Sequence, residues 1–537
     1  MTLQLADLFE RVAATVPQRE ALVCGGADGT RTRLSYAELD ARADRTAQAL
    51  AARGVGRATK VGLQLRNHPA HVEALLALYK LRAVPVNLNH RYVADELAYV
   101  LADAGAPLLL TEVSTSQEAD GAAAMVAASG APRPVVVVCD ERWRAEVADA
   151  PCEVVEISPR HPDDLVLLYT GGTTGAPKGV MWRHDDLYQA ALGGRGAPLR
   201  GIPAVVRAED VVARALGHDP IRRRLPFCPL IHGGALWIVL QSLLSGGTAV
   251  LSTDPRLDGV AALDLLASER VDLTMVIGDA VARPIADALA ATPGRWDLSS
   301  LQVVASGGAV LSTVVVDLLA RHLPGTKVVD TFGASETGGQ GRLRRGSDGG
   351  PPRLDGDADN EVLDDELRPV APGTVGRLAR RGAIPLGYWG DPERTAATFP
   401  TVDGVRWSVP GDLARREADG SITVLGRGST SINTGGEKVF PEEVESVLKG
   451  HPWVADALVV GVPDDRFGQA VAAVVALRPG MTPDDALRVR LGDHARQHLA
   501  GYKVPRRWVV VDVCQRLATG KPDYAWARQV ALAEHEG

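Results

Sequence analysis

Residues 169–179 read Tyr-Thr-Gly-Gly-Thr-Thr-Gly-Ala-Pro-Lys-Gly and follow the apolar run 165–168, which has the length and character of a buried strand. Without a Cβ, glycine lets backbone N–H groups close on an anion, and successive N–H groups form an anion-binding concavity. Thr170, Gly171, Gly172, Thr173, Thr174 and Gly175 supply such a cradle, and Lys178 adds an ammonium. This composition suits a polyphosphate. It is not the common phosphate loop, in which Gly-Lys-Ser/Thr opens a helix. Here Pro177 precedes Lys178 and Gly179 follows it, so no helix is expected to start at the lysine.

Further constellations lie downstream. Residues 305–309 read Ala-Ser-Gly-Gly-Ala, and residues 330–336 read Asp-Thr-Phe-Gly-Ala-Ser-Glu after a predicted strand. Gly411-Asp412 stands shortly before Gly426-Arg427. Residues 432–445 run Ile-Asn-Thr-Gly-Gly-Glu-Lys-Val-Phe-Pro-Glu-Glu-Val-Glu, and Gly520-Lys521 lies near the C-terminus. Residues 229–234 read Pro-Leu-Ile-His-Gly-Gly. Together with the glycine-rich loop, these segments resemble the motifs of the adenylate-forming (AMP-binding) superfamily, closest to actinobacterial-type fatty acyl-CoA synthetases. The resemblance spans nearly the whole chain.

That resemblance implies a role for each residue. The phosphate loop and Lys178 hold ATP, with Thr174 and Glu336 as hard oxygen ligands for Mg²⁺. Phe332 offers a flat face to adenine, Gly333 allows close approach, and Asp330, Thr331 and Ser335 complete that motif. Ser306, Gly307 and Gly308 form the turn on the other side of the adenine and the acyl group. Asp412 accepts from the ribose hydroxyls, and Arg427 holds the ribose and begins the linker. Gly435 and Gly436 line the pantetheine channel of CoA. Lys521 bridges the substrate carboxylate and the α-phosphate as charge shifts, and His232 gates the acyl site. Catalytic roles thus fall to Lys521, Glu336, His232 and Thr174. The chain departs from the family pattern at Arg82, where glycine is usual, at Ser429 in the hinge, and at Gln515 and Ala518, near which prolines are usual. The last departure predicts a looser lysine loop.

These residues need elements to place them. Residues 35–38, Ser-Tyr-Ala-Glu, form a capping box before an amphipathic stretch that runs to about Arg53. Strand patterns at 60–65, 84–88, 107–111 and 134–139 alternate with helical ones at 71–81 and 94–102 and a mixed stretch at 112–133. The alternation resumes with strands at 248–251, 273–277, 301–305 and 328–332 and helices at 235–244, 261–270, 280–291 and 312–322. Such alternation predicts parallel sheet built from βαβ units. Residues 341–360 read as an exposed loop or hairpin. Dense turn signals at 364–411 predict short β-hairpins. Beyond residue 426 the expected order is helix 441–449, strands 455–462 and 470–477, helix 483–499 and strand 507–511. The fold class is α/β: a large N-terminal domain (1–426) of αβαβα-type subdomains plus a β-rich one, a hinge (427–430), and a small mobile α+β domain (431–537).

Composition narrows the function classes. A chain of 537 residues is too long for one core. The net charge of −8 and pI near 5.9 argue against nucleic acid or an anionic membrane as the main partner. Five scattered cysteines suggest neither a disulfide framework nor a zinc site. Asp7, Glu10 and Arg11 near the start do not read as a signal peptide, and no run of 18 apolar residues occurs, so a cytoplasmic protein without a membrane span is expected. Only eight of the 58 basic residues are lysines, which favours those that remain as sites needing a compact charge. Lys60 and Lys449 read as ordinary surface positions.

The reaction implied is carboxylate + ATP + CoA to acyl-CoA + AMP + pyrophosphate, on a fatty or ring-bearing acid, with ATP, Mg²⁺ and CoA as cofactors. Small residues at Gly234, Gly308, Gly338 and Gly339 are expected to leave room for the acid. Two alternatives stay open. One is a biosynthetic enzyme that passes the adenylate to a carrier-protein thiol or an amine, or that activates nitrite for diazo formation. The other is a non-catalytic nucleotide-binding protein. Monomer and homodimer are both compatible with the sequence.

Overall fold

Among the described residues two long sheets, a smaller one and a two-stranded ribbon, Thr401–Val402 with Val405–Arg406, carry the molecule. The computed structural model describes residues 3–152, 159–172, 175–196, 203–217, 221–309, 311–344, 352–355, 358–427, 432–434, 437–464, 468–484, 486–499, 501–517 and 521–533.

The first sheet is seven-stranded among the described residues. Its strands Val135–Val138, Leu108–Thr111, Lys60–Gln64, Val84–Asn87 and Leu165–Gly172 run parallel in that order. In Leu108–Thr111, Leu108 and Leu110 enter one apolar cluster and Leu109 the opposite one, as strand alternation requires. The helices Tyr36–Ala51 and Pro69–Lys80 cover one face, and Ala94–Ala104 and Ser116–Ala128 the other. Covering both faces is what lets near-continuous apolar strands pair in parallel. The capping box is present, with Glu38 N donating to Ser35 Oγ at 3.2 Å and Ser35 N to Glu38 Oε2 at 2.8 Å.

Arg82 ends the helix Pro69–Lys80 with φ at 55°, a conformation that favours glycine. The arginine is held there by a bidentate pair to Asp164 (Nη2–Oδ1 2.8 Å, Nε–Oδ2 3.1 Å) and by donation from Nη1 to Pro159 O. Both side chains are buried. The departure from glycine is thus explained: a buried fork-to-carboxylate contact offsets the cost of the left-handed backbone.

The second sheet is thirteen-stranded among the described residues. Its parallel half runs Glu20–Gly25, Thr248–Ser252, Arg223–Pro226, Leu273–Val276, Val303–Gly307, Lys327–Ala334. Leu225, Val276 and Val304 pack on the helices Gly259–Ser268, Gly278–Ala291 and Thr313–His322. The helix Gly233–Leu243 crosses the opposite face. The sheet then turns antiparallel through Gly338–Arg344, Arg353–Leu354 and Ile422–Arg427 to Asp412–Arg416, Val375–Arg380 and Asn360–Leu363. The stretch 341–360 is therefore strand at both described ends, and the hairpin region 364–411 also holds a helix, Pro392–Thr398, that its turn signals hid.

Beyond the strand Ile422–Arg427, a sheet that is five-stranded among the described residues is flanked by the helices Pro441–Lys449, Leu487–His498 and Tyr524–Ala533. Val454–Asp464 and Gly468–Leu477 pair antiparallel, and Arg507–Val511 adds in parallel. The last helix was not expected, although Asp523 before it carries a cap signal: its Oδ1 accepts from Trp526 N at 2.9 Å. The fold is thus a large α/β domain with a β-rich part and a small α+β domain behind it. Among the described residues no helix is long and apolar enough to cross a membrane.

Candidate active site

The glycine-rich segment is the end of a hairpin. Leu165–Gly172 turns back as Gly175–Arg183, with Thr170 opposite Lys178 and Gly172 opposite Gly175. No helix begins at Lys178, as Pro177 and Gly179 dictated. Thr173 and Thr174, at the tip, lie outside the described residues, as do the side-chain surroundings of Gly171, Gly172 and Gly175. Tyr169 anchors the base: its hydroxyl donates to Asp103 Oδ2 at 2.5 Å, and its ring lies where a Cβ on Gly179 would come within 2.9 Å.

Lys178 and Glu336, far apart in sequence, meet through a residue that the sequence reading missed. Lys178 Nζ stands 5.1 Å from the ring centroid of Tyr388, within cation–π range. The Tyr388 hydroxyl donates to Glu336 Oε1 at 3.0 Å. Tyr388 is fixed because Gly387–Tyr388 pairs antiparallel with Val180–Met181 and Trp389 N donates to Gly179 O at 2.7 Å. The available signal was Gly387-Tyr-Trp-Gly390. Gly387 has φ 146°, and a Cβ there would meet Thr395 Cγ2 at 2.3 Å.

Glu336 is held from its own backbone: Ser408 Oγ donates to its carbonyl at 2.6 Å, and the buried Trp182 Nε1 donates to Ser335 O at 2.8 Å. Its half-buried carboxylate keeps a hard oxygen donor for a divalent cation, so the group fits Mg²⁺. The cluster Glu10, Asp40 and Asp44 does not, because Lys80 Nζ sits among all three at 2.6–3.1 Å.

The two glycine turns stack on adjacent strands. Ser306 pairs with Asp330 and Gly307 with Thr331. The hydroxyls in this stack face inward: Thr331 Oγ1 donates to Ser306 O at 2.8 Å, and Ser306 Oγ donates to Ala309 O at 2.7 Å while accepting from Gly278 N. Asp330 accepts from Leu311 N at 3.0 Å and is buried, so it braces the turn. Phe332 is half-buried beside Leu343 and Leu354. Gly333 cannot be replaced cheaply, since a Cβ would sit 2.3 Å from Gly338 O at the bulge that follows Phe332.

The remaining expected residues are Asp412, Arg427, Gly435, Gly436, Lys521 and His232. Asp412, 8% exposed, lies opposite Arg427 on paired antiparallel strands. Only the backbone of Arg427 is described, and residues 428–431, 435 and 436 lie outside the described residues, the expected positions Gly435 and Gly436 among them. Lys521 is tied through its backbone: Arg516 bridges Pro522, and Leu517 N donates to Lys521 O at 2.9 Å. Its charge acts on His232. His232 occupies the N-cap position of the helix Gly233–Leu243, yet its side chain makes no capping bond. Burial pushes its imidazole down to about 4, with the nearby Lys521 and Arg91 charges adding to the effect, so it is neutral at pH 7.

The expected room at the glycines is partly taken. A Cβ on Gly234 would meet Met275 Cε at 2.7 Å, and one on Gly338 would meet Ala190 Cβ at 2.9 Å. At Gly338 the missing side chain serves helix packing. At Gly234 a flexible methionine fills the space.

Comparison with known proteins places this geometry in a class. Residues 9–389 match the AMP-binding enzyme family and residues 443–521 the AMP-binding enzyme C-terminal domain. The chain belongs to the AMP-binding enzyme family. It is 43% identical to the 3-oxocholest-4-en-26-oate–CoA ligase of Rhodococcus rhodochrous, covering 98% of this chain and 96% of that one. It is 42% identical to a medium/long-chain-fatty-acid–CoA/3-oxocholest-4-en-26-oate–CoA ligase of Mycobacterium tuberculosis, with the same coverage. Among solved structures, ATP-bound MatB from Rhodopseudomonas palustris superposes with a TM-score of 0.80 at 27% identity over 98% of each chain.

Proposed function

We propose that this chain is an AMP-forming acyl-CoA synthetase acting on a fatty or ring-bearing carboxylic acid. The observation that carries the reading is the convergence of Lys178, Tyr388 and Glu336 at the glycine hairpin. The acids in the names of its relatives, medium- and long-chain fatty acids and a steroid acid, support the substrate class.

In this reading the substrate carboxylate attacks the α-phosphorus of ATP, and the bond to the pyrophosphate oxygen breaks. Lys521 is the cation that bridges the carboxylate and the α-phosphate, and Lys178 holds the phosphates. Glu336 and Thr174 would hold Mg²⁺, and the ion would supply charge neutralisation at the phosphates. Asp412 and Arg427 fix the ribose, and the stacked turns around Gly307 and Phe332 fix the adenine. His232, neutral and half-buried, gates the acyl entrance. The CoA thiol then attacks the acyl carbon of the mixed anhydride and AMP leaves. Positioning and charge neutralisation supply most of the acceleration. Residues 427–430 serve as the hinge between domains 1–426 and 431–537, by which Lys521 withdraws and Gly435-Gly436 enters. The enzyme works in the cytoplasm.

The test is product analysis with purified protein, Mg·ATP and a panel of fatty, aryl and steroid acids, with and without CoA. Acyl-CoA and AMP are expected. AMP formation without CoA transfer turns the reading toward another acceptor, and no AMP with any acid overturns it.

A further inference from the structure

The sheet face beneath the helix Gly233–Leu243 holds polar groups that the reaction does not use. On this face Arg224 lies level with Leu273, and Leu273 with Val303. The helix starts over Met275 at Gly234 and reaches Arg224 two turns later, where Arg224 Nη1 donates to Gln241 Oε1 at 3.2 Å. Leu273, Val303, Val329, Trp237, Gln241 and Arg224 all keep accessible surface although they sit mid-sheet or on the helix that covers it. A cleft therefore runs between helix and sheet toward Arg224; the flexible Met275 side chain, whose Cε lies 2.4 Å from a Cβ built on Gly307, stands at its Gly307 end and must swing aside for a ligand to pass.

Its polar lining is unsatisfied. Arg224 Nε is buried without a hydrogen-bond partner, and so is Trp237 Nε1, one turn from Gln241 on the same helix. Among the described residues Arg224 has no carboxylate within ion-pair distance. The acidic group whose charge reaches it, Asp272, already accepts from Arg223 N and lies 4.0 Å from Arg222. Burial lowers the guanidinium pKa, the sign of a charge that lacks compensation. A buried donor left unmatched costs free energy that a bound acceptor recovers. Gly307 stands four residues beyond Val303, and Arg224 two strands to its side, so the cleft spans roughly 16 Å. A long-chain or fused-ring acid covers that span, and a short one does not.

We propose that this cleft receives the body of the acid and that Arg224 binds an oxygen acceptor at the acid's far end, a ketone or a second carboxylate. The enzyme is thus built for long acids polar at both ends. Trp237 Nε1 is a second donor on the same path. The inference rests on the acyl-CoA synthetase reading and extends it to the substrate's tail.

The test compares kcat/KM for an unsubstituted long-chain acid, the same acid with a ketone near its far end, and the matching dicarboxylic acid. In the wild type one of the two oxygenated acids exceeds the plain acid by about tenfold or more, as a site built to hydrogen-bond its ligand discriminates. Preference for the ketone identifies a neutral acceptor, and preference for the diacid an anionic one. In Arg224→Met the ratio is expected to fall to about twofold or less, the level at which a hydrogen bond no longer discriminates. Equal use of all three acids by the wild type overturns the inference while the activity stands, and so does a preference that survives in Arg224→Met. Failure to convert any of the three overturns the activity and the inference with it. If Arg224→Met does not fold, the wild-type ratios and Gln241→Leu, which removes the anchor of Arg224, decide.

Discussion

Lysine is scarce in this chain, and its ammonium groups are placed with partners at several positions that look ordinary in sequence. Lys80 is shared by Glu10, Asp40 and Asp44, and Lys503 pairs with Glu443 at 2.6 Å. Lys60 lies 4.4 Å from the Trp389 ring, and Lys449, expected at an ordinary surface, stands among Glu445 and Asp456. Lys521→Ala is expected to slow adenylation by about 10² to 10³, the scale of one transition-state charge contact, while thioester formation from supplied acyl-AMP persists. Pyrophosphate–ATP exchange at the wild-type rate in that variant would refute the role. Tyr388→Phe removes a hydrogen bond to a carboxylate, worth about 1.5–3 kcal/mol, so the KM for Mg·ATP should rise about tenfold or more. An unchanged Mg²⁺ dependence would show that Tyr388 does not orient Glu336.

At the scale of elements, the lysine loop lacks the prolines usual near Gln515 and Ala518, and looseness was the expectation. Residues 518–520 lie outside the described residues, and the flanks that are described are tied by charge. Arg516 Nη2 meets Asp456 Oδ2 at 2.5 Å, Asp456 lies 3.3 Å from Lys449, and Lys449 lies 3.8 Å from Glu445. Glu445 accepts from Val459 N at 2.9 Å and from the Tyr524 side chain, on the helix that follows the loop. The network links Arg516, before the lysine, to Tyr524, after it. Arg516→Met should lower adenylation by about 1–3 kcal/mol, the range of coupled neighbours. That loss should vanish in a Lys521→Ala background. An equal loss in both backgrounds would make Arg516 a stability residue only, which a thermal melt registers separately.

Across the whole molecule, the interior holds neutral histidines. Burial pushes both His71 and His184 down to about 4. Their pKa is depressed in the folded state, so between the unfolded value near 6.5 and about 4 the unfolded chain binds more protons. Stability is therefore full above about pH 6.5 and is lost as pH falls toward 4, by about 3 kcal/mol for each group. Urea midpoints at pH 7 and pH 4.5 check this. The difference should shrink in His184→Gln, and an unchanged difference would place the titration elsewhere.

Local chemistry alone determined much of this protein. Residues 35–38 cap a helix because a hydroxyl and a carboxylate three residues apart satisfy two orphan N–H groups. Pro177 and Gly179 keep Lys178 off a helix because neither sustains one. The apolar alternation of residues 108–110 assigns opposite faces to successive leucines, and with its repetition along the chain comes the α/β class. These effects act within a few residues, so the sequence displays them. Only the tertiary structure decided that Tyr388 joins Lys178 to Glu336, that Asp164 holds Arg82 in a left-handed turn, that Met275 fills the space beside Gly234, and that Arg224 faces the cleft without an acid. Each of these depends on groups tens to hundreds of residues apart that strand register and helix packing bring within a few ångströms, and no local pattern in the chain encodes such a meeting.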